Sequence, residues 1–134
     1  HVGYKLKNYI VNNLKREINI NDFGTNSEER CDFPDFAKEA CDFVVNNESS
    51  RGLLICGSGV GMSIAANKIK GIRASNVVDK ETAMQSVEHN DVNVLCLGAN
   101  NMNEENVIDI VESFLDANLI QEERYLRRIS KLED

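Results

Sequence analysis

Apolar residues recur at helical spacing from the first positions of the chain: Val2, Leu6, Ile10 and Leu14 share one stripe and predict a helix over about residues 3–16. A short strand is expected around Ile18 to Ile20, before the loop-forming run Asn21-Asp22-Phe23-Gly24-Thr25. Asp32-Phe33-Pro34 then reads as a helix N-terminus, because proline in a first turn lacks only an amide hydrogen that would be unpaired anyway. Phe36, Ala37, Ala40, Cys41 and Val44 form the apolar face of that helix. Leu53 to Cys56 is a short apolar run suited to a buried strand, followed by a helix over about 61–69 that Gly71 breaks. Ile72 to Val78 predicts another strand, Asp79 caps a helix reaching about His89, and Asn93 to Gly98 predicts the last strand. Two further helices, about 104–117 and 121–132, are separated only by Asn118-Leu119-Ile120.

This alternation predicts an α/β fold, a Rossmann-like three-layer αβα sandwich with a parallel sheet of about five strands. Four of the strands are visible in the pattern. A parallel sheet that lacked a central strand would leave backbone groups unpaired, and the chain opens on a helix and on histidine rather than methionine, so the first strand is expected upstream of His1. The loop after that strand would then carry His1 at the carboxyl edge, where such sheets bind ligands. With 134 residues, 42% of them apolar, one core is affordable, which predicts a single domain over residues 1–134.

Charge narrows the partners. A formal net charge of −7 argues against a nucleic-acid or anionic-membrane surface, since phosphate backbones are bound through clustered cations. Any anionic ligand must therefore meet a local basic cluster. Cys31, Cys41, Cys56 and Cys96 lie 10, 15 and 40 residues apart with no C-x-x-C pair and no histidine close by, so neither a metal site nor a disulfide framework is expected. The chain shows no signal-peptide pattern and no apolar run near the roughly 18 residues a membrane helix needs, which makes a cytoplasmic location the expectation.

Most of the candidate chemistry lies in Cys56-Gly57-Ser58-Gly59-Val60-Gly61-Met62-Ser63. The amides of Gly57 to Gly61 are expected to converge in front of the following helix, on a spot suited to a phosphate or an oxyanion. Cys56, delivered there by its strand, faces the positive end of the helix dipole, which favours a thiolate able to act as base or nucleophile. The competing reading is a small hydrophobe closing a buried strand. Cys41 and Cys96 fall on apolar faces and read as packing. Against the dinucleotide fingerprint Gly57-x-Gly59 matches, Met62 replaces the third glycine, and Asp79 stands at the right distance, so nucleotide binding stays open; a Walker A loop fails for want of Gly-Lys-Ser/Thr.

The only two histidines are His1 and His89. His89-Asn90-Asp91 precedes the last strand rather than following it, so His89 reaches the cysteine only by an overhanging loop or from a second subunit; a surface cap is the plainer alternative. Arg124 and Arg128, four apart with Arg127 beside them, share one helix face that is either solvated or the grip for a phosphate.

Taken together these residues resemble the ribose-5-phosphate isomerase B family, which includes galactose-6-phosphate isomerase subunits. His1-Val2-Gly3 is similar to the end of its Asp-His-x-Gly, and Asp22-Phe23-Gly24-Thr25 and Asp32-Phe33-Pro34-Asp35-Phe36 follow in order. The most specific signatures are Ile55 to Lys68, Gly71-Ile72-Arg73-Ala74 and His89-Asn90-Asp91-Val92-Asn93-Val94-Leu95. The resemblance implies an aldose–ketose isomerase that interconverts ribose 5-phosphate and ribulose 5-phosphate through a cis-enediolate, in the non-oxidative pentose phosphate pathway, with no metal or organic cofactor. Cys56 would be the base, Ser58 would position it or a substrate hydroxyl, and the Gly57–Gly61 amides would hold the enediolate oxygen. His89 would protonate the ring oxygen to open the furanose, His1 and Asn90 would contact the sugar, and Arg124 and Arg128 would hold the phosphate. It further implies a homodimer, with a tetramer as the alternative, whose sites are built across the interface.

Three departures stand out. The aspartate expected before His1 is absent, Phe33 stands where tyrosine is common, and Asn100 stands where an arginine usually binds phosphate. The lost charge-assisted contact weakens phosphate binding by roughly 1.5 to 3 kcal/mol unless Lys5 or Arg127 compensates. Cys56 itself favours the cysteine-base branch of the family over the glutamate branch, since Met62 and Ser63 offer no carboxylate. Two other readings remain: an isomerase of a six-carbon sugar phosphate, and a non-catalytic module for a sugar phosphate or nucleotide.

Overall fold

The apolar run from Val94 to Gly98 is buried at every position, as a central parallel strand covered on both faces requires. The computed structural model describes residues 3–24 and 32–133. In chain order its elements are α1 (Tyr4–Asn13), α2 (Phe33–Asn46), β1 (Gly52–Cys56), α3 (Val60–Asn67), β2 (Ala74–Asn76), α4 (Lys80–Asn90), β3 (Val94–Gly98), a 3₁₀ turn (Ala99–Asn101), α5 (Glu104–Asp116) and α6 (Glu123–Leu132). The sheet runs β1-β3-β2, and both pairings are parallel.

Side chains of β3 alternate between two cores. Leu95 and Leu97 pack with Ile10, Ala83, Val87, Val107, Val111 and Phe114, from α1, α4 and α5. Val94 and Cys96 pack with Ala37, Cys41, Val44, Met62 and Ala66, from α2 and α3. The period-2 alternation thus places helices on both faces, and the helix faces expected from spacing are the faces buried. Arg51 closes the α5 end: its guanidinium donates to the carbonyls of Phe114 and Ala117 and lies over the Phe114 ring. Those are carbonyls that a helix C-terminus leaves unpaired.

Several boundaries differ from the sequence pattern. Three strands, rather than about five, are formed by the described residues. The strand expected around Ile18 to Ile20 is absent: both isoleucines are about half exposed, at 44% and 46%, and no ladder pairs them. A strand requires a neighbour for its backbone groups, and an open groove of about 1470 Å³, lined by Ile18, Ile20, Leu53 and Ile55 among others, adjoins the edge of β1 that no strand among the described residues pairs. Helix α1 ends at Asn13, where Leu14 turns extended with ψ 139°, although Leu14 still packs on the core. The Ile72–Val78 strand shortens to Ala74–Asn76 because Gly71, at φ +90°, and Arg73 are held in a turn against Asn93. Val2 and the Thr25–Cys31 segment lie outside the described residues.

The Asp79 cap is as expected. Its carboxylate accepts the Thr82 amide at 2.7 Å, which holds the acid below its ordinary value of 3.8. The cap therefore stabilises α4 fully above that ordinary value and loses its effect as pH falls through the lower folded-state value. In urea unfolding between pH 6 and about 2.5, wild type should lose stability relative to Asp79→Asn, which keeps the acceptor without the titrating charge. Parallel pH curves for the two proteins would contradict this.

Candidate active site

Because the strands are parallel, their carboxyl ends share one edge, and Cys56 lies there opposite Gly98. The chain leaves β1 through Gly57-Ser58-Gly59 and begins α3 at Val60. Cys56 Sγ accepts the Gly59 amide at 3.1 Å, and Ser58 Oγ accepts the Val60 amide at 3.2 Å. Two of the five amides expected to form an anion cradle are thus directed at the loop's own sulfur and hydroxyl. The sulfur sits at the mouth of the turn, half-buried, with Ser58 exposed beside it.

Two approaches explain the glycines. Gly59 has φ +82°, a left-handed conformation that side chains disfavour, and a Cβ there would sit 2.5 Å from Asn76 Oδ1. A Cβ on Gly98 would collide with the Ser58 backbone, so β3 must end in glycine for the loop to lie across it. From the opposite side, Asn76 Nδ2 donates to the Ser58 carbonyl at 3.2 Å, while the Asn100 amide donates to the Gly57 carbonyl at 3.0 Å. Phe33 covers the start of α3, its ring resting where a Gly61 side chain would be. The residue that lacks the family's usual hydroxyl therefore packs as a lid on the glycine turn.

The other half of the predicted site gathers at the opposite edge. His89 lies in the last turn of α4 and stacks on Tyr125 of α6, with ring centroids 4.7 Å apart and planes 9° apart. Arg124 lies over the Tyr125 ring, 4.7 Å from its centroid, donates to its hydroxyl at 2.9 Å and pairs with Glu122 at 3.1 Å. Arg128 is exposed and pairs with no described side chain, whereas Arg127 is bound to Glu123. Arg73 fixes the turn after His89: it donates to the Asp91 carbonyl at 2.7 Å, pairs with its carboxylate at 3.1 Å, and also binds Glu133 at the end of α6. Asp91 itself takes the left-handed turn conformation at φ +50°.

The structure therefore brings Cys56, Gly57, Ser58, Gly59, Val60, Gly61 and Asn100 together at the carboxyl edge. It gathers His89, Asn90, Arg124 and Arg128 at the amino edge. Within one chain these groups do not meet, because the five residues of β3 separate the edges by on the order of 13 Å. His1 lies outside the described residues, while Gly3, two positions on, abuts Ile55 of β1. Sequence reasoning missed Asn76, Tyr125 and Arg73 as site neighbours. Only Arg73 carried a signal, inside the Gly71-to-Ala74 signature. Asp79, whose distance from the glycines left nucleotide binding open, is committed to its cap. None of the described helices is long and apolar enough to cross a membrane.

The family model described as Ribose/Galactose Isomerase matches residues 1–132. A curated relative, ribose-5-phosphate isomerase B of Escherichia coli, is 44% identical over 118 residues, covering 87% of this chain and 79% of its own. The solved ribose-5-phosphate isomerase B of Clostridium thermocellum superposes with a TM-score of 0.94 at 42% identity, covering 99% of this chain and 90% of that one. The Mycoplasma genitalium enzyme of the same name, solved with bound ribulose-5-phosphate, gives a TM-score of 0.92 at 41% identity, covering 99% and 89%.

The thiols of the α2–α3 core differ in chemistry. Burial pushes Cys41 up to about 11, aided by the nearby Asp42 charge, and pushes Cys96 up to about 12. Both remain protonated at neutral pH, and both are fully buried. Iodoacetamide at pH 7 should therefore alkylate Cys56 at least about tenfold faster than Cys41 or Cys96, read by mass spectrometry of the cysteine peptides. Equal rates at the three would show that the turn gives Cys56 no advantage.

Proposed function

The chain belongs to the ribose/galactose isomerase family, and on that premise we propose that it interconverts ribose 5-phosphate and ribulose 5-phosphate with Cys56 as the base. The observation that carries this reading is the Cys56 sulfur at a sheet's carboxyl edge, in hydrogen-bond contact with the Gly59 amide. The ribulose-5-phosphate held by the Mycoplasma genitalium relative supports the substrate class. The thiolate takes the proton from C2 of the open-chain aldose, and the electron pair shifts onto the carbonyl oxygen to form the cis-enediolate. Return of the proton to C1, with the hydroxyl proton passing from O2 to O1, yields the ketose. Ser58 positions the base or a hydroxyl, and the amides of Gly57 and Gly61 receive the oxyanion.

The ring-opening acid His89 and the phosphate ligands Arg124 and Arg128 come from a second copy of the chain, with Asn90 and His1 on the sugar and Asn100 near the phosphate. Two observations support a homodimer. The two halves of the site sit on opposite sheet edges, and each is flanked by exposed apolar side chains, Val60, Ile64 at 58% and Val78 on one side and Leu126 and Leu132 at 66% on the other. Of the two cations read as substitutes for the missing arginine, Lys5 and Arg127, Arg127 is already paired with Glu123. We read the fold as a single domain whose sheet takes a further parallel strand against the free edge of β1, in the groove beside Leu53 and Ile55. The free thiols of Cys41, Cys56 and Cys96 suit a reducing cytoplasm.

Replacing the base, Cys56→Ala should lower kcat by about a hundred- to ten-thousand-fold in a ribulose-forming assay. Arg124→Ala should instead raise KM by about ten- to a hundredfold. Full activity of Cys56→Ala would sink the thiol base, and turnover of hexose 6-phosphates alone would reassign the substrate. Binding of ribose 5-phosphate with no turnover by the intact protein would mark a non-catalytic module.

Mixing supplies the test of the shared site. Cys56→Ala and His89→Ala chains, each inactive alone, should regain about a quarter of wild-type activity when exchanged one to one, because half the dimers are mixed and each holds one intact site. No recovery among chains shown to exchange would place His89 and Cys56 in the same subunit's site.

A further inference from the structure

Asn76, the last residue of β2, belongs to no signature in the sequence, yet its side chain is built into the glycine turn. Its Nδ2 donates to the Ser58 carbonyl at 3.2 Å, and its Oδ1 occupies the space beside Gly59 that any side chain there would need. The Ser58 carbonyl and the Gly59 amide belong to one peptide unit. That peptide is trans, so its C=O and N–H point in opposite directions. The N–H end reaches Cys56 Sγ at 3.1 Å. Asn76 and the sulfur thus sit at the two ends of a single amide plane.

A peptide between serine and a glycine at φ +82° has little local resistance to rotation, since glycine tolerates most dihedrals. What holds the plane lies outside the loop: Gly98 of β3 beneath the Ser58 backbone and Asn76 of β2 on its carbonyl. We propose that Asn76 is a positioning residue for Cys56, holding the Ser58–Gly59 peptide so that its amide hydrogen stays on the sulfur. Donation to the carbonyl also polarises the N–H at the other end, because hydrogen bonds in a chain reinforce one another. An amide hydrogen attracts a thiolate more strongly than a thiol, so the orientation of this plane bears directly on the reactivity of the sulfur.

The other titratable groups near Cys56 do not take that role. Cys96 on β3 and Cys41 on α2 are buried thiols that stay protonated, and α3 contributes only Met62 and alanines to the same cluster. From α1, Tyr4 and Lys7 line the adjoining groove, with Lys7 paired to Asp22 at 3.0 Å.

This inference rests on Cys56 being the reactive thiol, and its readout does not require isomerase activity. In the full chain, Asn76→Leu keeps the volume without the donor, and Asn76→Asp keeps size and polarity without it. For either folded variant, iodoacetamide alkylation of Cys56, followed peptide by peptide against pH, should be about five- to tenfold slower at pH 7. The whole profile should move to higher pH and reach the wild-type plateau. With ribose 5-phosphate, kcat should fall by the same factor and KM should change less than about twofold. A profile superimposed on wild type overturns the proposal, and so does a uniform loss of rate at every pH, which would mean altered access instead. If Cys56→Ala were to remain active, the thiol-base reading would fail while the alkylation profiles still decided the role of Asn76.

Discussion

The strand β3 is hydrogen-bonded on both sides and buried on both faces, and the two edges at which the described candidate site residues gather are its two ends. Both neighbours run parallel to it, so whatever leaves a strand collects at one edge and whatever enters collects at the other. The cysteine turn and the 3₁₀ turn of Ala99–Asn101 are exits; the His89 turn and the Arg73 turn are entrances. The proposed reaction draws on groups from both edges, and that separation is the reason it is assigned to two copies of the chain. Gly98 adds the local condition. Because β3 ends without a side chain, the Ser58 backbone can cross its end and hold Cys56 where the sheet opens.

Much of this was legible in the chain. The Asp79 cap, the Pro34 start and the apolar face of α2 all follow from local rules, and they appear where those rules put them. Failures cluster where pairing decides. Ile18 and Ile20 alternate as a strand would, but alternation only states that one face is apolar; a strand also needs a neighbour with free backbone groups. The Ile72–Val78 run is apolar enough for seven residues of strand, yet Arg73 and Asn93 tie its first part into a turn.

The site divides in the same way. Cys56 and its glycines are consecutive, so their geometry is encoded locally. Asn76 lies 18 residues from the carbonyl it binds, and Tyr125 lies 36 residues beyond the histidine it stacks on, so neither association has a spacing to betray it. Charge is managed similarly. In a chain of net −7, Arg16, Arg73 and Arg127 each face a carboxylate, and Arg128 pairs with none among the described residues. An exposed cation in acidic surroundings is the one best prepared to accept an anion from outside.

The His89–Tyr125 stack has a consequence for how an imidazole can work. Parallel stacking covers the face of the ring and leaves its rim open, and both nitrogens are on the rim. The ring is thus restrained from tilting out of its plane by a contact that uses neither nitrogen. The tyrosine acts as a flat bearing, constraining the imidazole while sparing the nitrogens through which the proposed acid would act.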